Sequence, residues 1–249
     1  MCLILFAWRV AADFPLALAA NRDEAYRRPA LPLARWREDP EIIGGRDAQA
    51  GGGWLACHAD GRFAAVTNVR QPRENDAPRS RGSLVQNYFA SNLQPIEFIK
   101  EIQMESYAGF NLIVGNRQEL CYGSNRNDAQ PVALPPGVYG LSNHRLDTPW
   151  PKLRRAKAAF VAALATLPDK AAFFRLLADR DLADDAELPQ TGVPFAVERM
   201  LSAIFIATPD YGTRASTLML AHTDGHFSML ERSFGPEGRF LGEVCQTTA

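Results

Sequence analysis

The sequence carries almost no net charge. Its acids and bases balance to −1, so it has no field of one sign with which to hold nucleic acid or an anionic membrane surface. Cysteine is scarce as well: Cys2, Cys57, Cys121 and Cys245 show no CxxC or CxxCH spacing. A chain of this size does not need a disulfide framework, and a reducing cytoplasm is expected. Gly51-Gly52-Gly53 is not followed by Gly-Lys-Ser/Thr, and no GxGxxG opens a helix. The glycines are therefore expected to make a tight turn into a strand and not to cradle a phosphate. The apolar start, Cys2 to Trp8, lacks a basic flank, and Arg9 and Asp13 interrupt it well short of the roughly 20 residues a membrane span requires, so no stable membrane insertion is expected. The four histidines suggest no metal site: His222 and His226 flank the Asp224-Gly225 turn, and His58 and His144 stand alone. Repeats and low-complexity tracts are also missing.

What is present suits one large domain, residues 1–249, with 47% hydrophobic residues. Leu3 to Val10 and Leu16 to Ala20 alternate as the strands of a hairpin around Ala-Ala-Asp-Phe-Pro. Residues 25–49, with prolines 29, 32 and 40, are expected to form a loop, and a second hairpin, Trp54 to His58 and Arg62 to Val69, turns on Asp60-Gly61. Gln71 to Gly82 is expected to be a surface loop or lid. Helices are expected over Ser83–Asn92, Pro95–Glu105, Pro151–Leu167 and Lys170–Ala178, and the basic residues early in the third, Lys152 among them, are assigned to a solvated face. Strands are expected over Phe110–Val114, Glu119–Gly123 and Gly137–Asn143. After an irregular acidic connector, Asp179–Pro194, come Met200–Ala207, Arg214–His222, Gly225–Glu231 and Arg239–Cys245. Strands, then helices, then strands argue for antiparallel sheets covered by segregated helices, an α+β fold.

The first hairpin returns Cys2 to the neighbourhood of Asn21 and Asp23, which share one face of the second strand. A thiol that ionises near pH 8.5 beside an α-amine near 7.7 to 8.0 carries its own base. Initiator methionine is generally trimmed before a small residue, so Cys2 is a candidate N-terminal nucleophile. Such chemistry also needs a group to orient the amine, donors for an oxyanion and a cation near the thiolate. Asp23 suits the first, Asn68 or Asn143 the second and Arg214 the third, all at predicted strand ends or turns.

These residues lie in motifs that together resemble the NRDE family, which includes the transport and Golgi organisation protein 2-like proteins. The motifs are Met1-Cys2, Asn21-Arg22-Asp23-Glu24, Thr67-Asn68-Val69-Arg70, Gly140-Leu141-Ser142-Asn143-His144, Pro149-Trp150-Pro151-Lys152 and Tyr211-Gly212-Thr213-Arg214. That family is in turn similar to the cysteine N-terminal-nucleophile hydrolases, such as penicillin V acylase and bile-salt hydrolase. The resemblance implies a four-layer αββα sandwich, with Cys2 as nucleophile, Asp23 near the α-amine, Asn143 as an oxyanion amide and Arg214 as the late arginine. Asn21, Arg22, Asn68 and His144, in the same motifs, are the candidate substrate-binding residues. The hydrolases carry Arg-x-x-Asp where this chain has Ala20, and Arg22 is expected on the strand face opposite to Asp23.

Two functions follow. One is a cysteine amidohydrolase acting on a small-molecule amide or acyl substrate, with no cofactor required. The other is a non-catalytic protein of the same fold that binds or traffics haem, or binds a lipid or acyl-CoA, with Cys2 or one of His58, His144, His222 and His226 as the axial ligand.

Overall fold

The computed structural model describes residues 2–71, 77–126 and 130–248. In chain order the elements are β1 (Cys2–Ala11), β2 (Phe14–Ala25), β3 (Ala30–Arg35), β4 (Ile42–Asp47), β5 (Gly53–His58), β6 (Phe63–Asn68), α1 (Ser83–Ala90), α2 (Pro95–Lys100), β7 (Phe110–Gly115), β8 (Leu120–Ser124), β9 (Val132–Ala133), β10 (Gly137–Leu141), α3 (Pro151–Leu164), α4 (Ala171–Leu177), α5 (Phe195–Met200), β11 (Tyr211–Ala221), β12 (Phe227–Phe234) and β13 (Phe240–Thr247). One antiparallel sheet runs β10-β1-β2-β11-β12-β13 and the other β3-β4-β5-β6-β7-β8-β9.

Strand alternation sorts the apolar side chains into three cores. Ile4, Phe6 and Trp8 of β1, with Leu16 and Leu18 of β2, meet Ile43, Leu55, Phe63 and Ile113 of the second sheet. The opposite face of the first sheet, Leu3, Leu5, Ala17 and Ala19, packs on Leu153 and Phe160 of α3 and Phe173 and Leu177 of α4. The outer face of the second sheet, including Ala64, Val66 and Leu112, packs on Leu84, Val85 and Tyr88 of α1 and Phe98 and Ile99 of α2. Helix, sheet, sheet and helix make the four-layer αββα sandwich. Each fully buried aromatic or aliphatic side chain contributes about 1.5–3 kcal/mol through removal from water.

Three expectations need correction. The expected loop over residues 25–49 contains β3 and β4. Pro32 is tolerated because it lies at the register shift between Leu31 and Ala34 of an edge strand. Gly44 and Gly45 sit inside β4 because Ala56 and Trp54 press on them: a Cβ on Gly45 would fall 2.1 Å from the Trp54 ring.

The expected strand Met200–Ala207 is the end of α5 followed by a buried irregular segment; Ala207 alone makes an isolated bridge, to Gly212. A short apolar run does not distinguish a strand from other buried chain. Here buried side chains satisfy the backbone: Lys152 Nζ donates to Leu201 O (2.9 Å), Asn21 Nδ2 to Ile204 O (2.9 Å), and the Ile206 amide donates to Thr213 Oγ1 (3.0 Å).

Lys152 is the third correction, since it is 2% exposed. Its neighbours Arg154, Arg155 and Lys157 pair instead with Glu187, Asp179 and Asp147. Of the expected lid, residues 72–76 lie outside the described residues. Among the described residues no helix is long and apolar enough to cross a membrane.

Candidate functional site

A bulge in the first hairpin decides what faces Cys2. The turn pairs Ala11 with Phe14, and a regular ladder from there would set Cys2 opposite Asp23. The register shifts between Trp8 and Ala11, around Arg9 at φ 53°, and the pair becomes Cys2 with Arg22. One inserted residue moves a strand's side chains to the other face. Cys2 thus shares the inter-sheet face with Arg22, while Asn21 turns toward the helices.

Asn21 is fully engaged there, donating to Leu177 O (2.8 Å) and Ile204 O (2.9 Å) and accepting from Ser216 Oγ (2.6 Å). It ties α4 and the 201–206 segment to the sheet and does not line the cleft at Cys2. Arg22, expected to face away from Asp23, does so, and that face is the one Cys2 occupies.

The cleft, a cavity of about 380 Å³, is lined by Cys2, Arg22, Asp23, Asn68 and Tyr211 together with Glu24, Arg28, Asp47, Trp54, Thr67 and the 80–82 turn. It opens where the two sheets are laced together at one end. β10 pairs with β1 so that Leu141 meets Ile4, which carries Asn143 alongside Cys2. The Cys2 backbone nitrogen donates to Asn143 Oδ1 (3.3 Å). Asn143 Nδ2 donates to Asn68 O (3.0 Å) and Asn68 Oδ1 (2.8 Å) across the sandwich. Both amide hydrogens of Asn143 are therefore engaged. The Nδ2 of Asn68 makes no hydrogen bond among the described residues, and Asn68 lines the cavity.

Asp23 is buried, and its Oδ1 accepts from Thr213 Oγ1 (2.7 Å). The Thr213 hydroxyl accepts from the Ile206 amide, so its own hydrogen is directed at Asp23. Burial raises the Asp23 pKa; the Lys152 ammonium, the Thr213 hydrogen bond and Arg22 oppose that rise. The Cys2 thiol is also raised, chiefly by desolvation although part of the residue opens on the cleft. Asp23 raises it further, while Arg22 and the Asp23 backbone amide lower it. Burial brings Lys152 down to about 8 against the pull of Asp23. Beside this group lies a buried ion pair, Arg70 Nη1 to Glu198 Oε2 at 2.5 Å, with Arg70 stacked 4.6 Å over Trp150.

The structure thus brings together Cys2, Asp23, Arg22, Asn68 and Asn143. It places Arg214 elsewhere. That residue is the extra one in the β11 bulge between Thr213 and Ala215, and its Nη1 donates to the carbonyls of Ala25, Tyr26 and Arg28, the last at 2.9 Å. It lines a separate cavity beside β13. His144 is held by Thr148 Oγ1 (2.9 Å) and packs against Trp150; it does not line the cleft. Lys152 and Thr213 escaped the sequence reading as site residues, although both fall inside motifs singled out there.

Of the axial ligands considered for haem, Cys2 lines this cleft and His58, His144, His222 and His226 do not. Asp39, Glu41 and His58 bring ligand atoms within 4.8 Å of one another, outside the cleft; the two carboxylates are at least partly exposed, an arrangement acidic groups adopt without a metal.

A family model described as transport and Golgi organisation 2 matches residues 1–236. The chain belongs to this family. The transport and Golgi organization protein 2 homologs of Bos taurus and Homo sapiens are 39% and 37% identical to it, each alignment covering 94% of this chain and 93% of the relative. The Drosophila melanogaster protein is 27% identical over 94% of this chain and 92% of its own length. Among solved structures, the Caenorhabditis elegans N-acylethanolamine-hydrolyzing acid amidase ortholog matches with a TM-score of 0.43 and 12% identity, covering 88% of this chain and 92% of that one. In this transport and Golgi organisation 2 chain the NRDE tetrapeptide divides its labour. Asn21 braces the helical layer, and Arg22, Asp23 and Glu24 line the cleft.

Proposed function

We propose that this member of the transport and Golgi organisation 2 family is a cysteine amidohydrolase of the N-terminal-nucleophile type, with Cys2 as nucleophile. The observation that carries this reading is the hydrogen bond from the Cys2 backbone nitrogen to Asn143 Oδ1, at the point where Cys2, Asp23 and Asn68 meet. With Met1 removed, that nitrogen is an α-amine held beside its own thiol, and its ordinary pKa suits a general base. Asn143 orients the amine. Asp23, where the Lys152 ammonium and the Thr213 hydrogen bond oppose the rise in pKa that burial imposes, supports the ammonium that forms when the amine takes the thiol proton.

The thiolate attacks the acyl carbon and a C–S bond forms. The carbonyl oxygen becomes an oxyanion received by Asn68 Nδ2, the cleft-facing amide that Asn143 fixes by holding its Oδ1. The C–N bond then breaks, and the amine leaves with the proton from the α-ammonium. Water, deprotonated by the α-amine, attacks the thioester; the carboxylic acid departs and the thiol is restored. Arg22, opposite Cys2 on the same face, opposes the rise in thiol pKa that burial imposes.

A panel of acyl amides and thioesters, assayed with wild-type protein and Cys2→Ala, tests the reading. Hydrolysis that needs Cys2 supports it; equal rates in the two proteins reject it.

A further inference from the structure

The donors and acceptors of the cleft are unequal, and the imbalance defines what it receives. Its carboxylates are already engaged. Asp47 accepts from Arg28 Nε (2.6 Å) and from the Gln49 and Ala50 amides (3.0 Å each), Glu24 Oε1 accepts from the Ala25 amide (2.9 Å), and Asp23 Oδ1 accepts from Thr213. Its donors are not. Arg22 is 7% exposed, yet its guanidinium makes no hydrogen bond among the described residues. The nearest carboxylate oxygens, on Asp47 and Glu24, are 3.6 and 3.8 Å from Nη2.

The face of the guanidinium is covered by Trp54 at 4.4 Å, which leaves the in-plane N–H groups, the ones that grip a carboxylate in a fork. A buried guanidinium whose ion pairs are too long to be hydrogen bonds is left with unsatisfied N–H groups, which is costly unless a ligand completes them. Arg28, also in the lining, uses only Nε among the described residues.

We infer that the cleft takes a small substrate bearing a carboxylate close to the scissile acyl carbon, with Arg22 as the residue that receives the carboxylate. The inference rests on the Cys2 reading for what is cleaved, and on a guanidinium that has only long ion pairs and no hydrogen bond among the described residues for what is bound. Cys2 and Arg22 pair directly across the ladder, with Cα atoms ~5 Å apart, and both line the cleft, so one small molecule spans the thiol and the guanidinium. The polar lining suits such a compound better than an apolar chain.

Alkylation by iodoacetate and iodoacetamide provides the test, since the two reagents differ in the carboxylate. Peptide mass spectrometry follows Cys2 and, as an internal reference, the exposed Cys245. The ratio of iodoacetate to iodoacetamide rate is expected to be about tenfold higher at Cys2 than at Cys245, the worth of a charge-assisted contact. Arg22→Gln should abolish that preference and Arg22→Lys should retain part of it.

Equal ratios at the two cysteines, or a preference that survives Arg22→Gln, overturn the inference. If neither reagent reaches Cys2, melting of Cys2→Ala with N-acetylglycine against N-acetylglycinamide decides. A rise in Tm selective for the acid and lost with Arg22→Gln supports the anion site, and its absence rejects it. An Arg22-dependent preference in a protein that hydrolyses no acyl amide would leave the anion site standing and sink the hydrolase.

Discussion

Asn21→Ala separates a bracing role from a substrate-binding one. The substitution removes two donors and an acceptor in a fully buried setting, leaving Leu177 O, Ile204 O and Ser216 Oγ without their partner. Each stranded group costs about 1 kcal/mol or more, so the sum is ~3 kcal/mol of folding stability. For a chain of this length that lowers Tm by about 6–12 °C. Urea unfolding followed by tryptophan fluorescence measures the change directly. Asn21→Asp keeps the acceptor for Ser216 but replaces both N–H donors with an anion, and it is expected to destabilise at least as much. A loss below about 1 kcal/mol in Asn21→Ala, together with a raised KM for an acyl amide, would refute the bracing role, since the value is less than one stranded group costs.

Glu198→Ala leaves Arg70 buried without its 2.5 Å partner and is expected to cost about 3–5 kcal/mol; replacing both residues with apolar ones of similar size should cost much less, and equal losses in urea melts would contradict the pairing. Lys152 supplies a pH signature. Its folded pKa of about 8 lies below the ordinary 10.5, so between those values the unfolded chain binds more protons and the Lys152 contribution to stability rises with pH. The stability of wild type relative to Lys152→Met should therefore climb from pH 8 to 10.5 and be flat below pH 8. A difference that stays flat over that window would show that Lys152 titrates normally.

Much of the architecture was legible because alternation and turn residues are local signals. The hairpins at Asp60-Gly61 and Asp224-Gly225 and the apolar stripe of α3 led directly to the antiparallel sheets and their helical cover. What escaped depends on contacts distant in sequence. β4 tolerates Gly44-Gly45 only because Trp54 and Ala56 press against it, and residues 201–206 avoid a ladder because Asn21, Lys152 and Thr213 supply their hydrogen bonds.

The site followed the same rule. Strand ends placed Cys2, Asp23, Asn68 and Asn143 together as expected, but the bulge at Arg9 exchanged Asn21 for Arg22 beside Cys2, and the bulge at Arg214 turned that arginine to the β2 carbonyls. Lys152 read as a solvated charge because nothing local marks a lysine that will be buried.

The most direct measurement is the intact mass of the active protein after brief exposure to an acyl amide or thioester that it hydrolyses. An N-terminal-nucleophile mechanism predicts a chain lacking Met1 that gains one acyl group on Cys2, with the adduct lost in Cys2→Ala. A fully active protein that retains Met1, or one that turns over substrate without an adduct on Cys2 under conditions where deacylation is slowed, would contradict it.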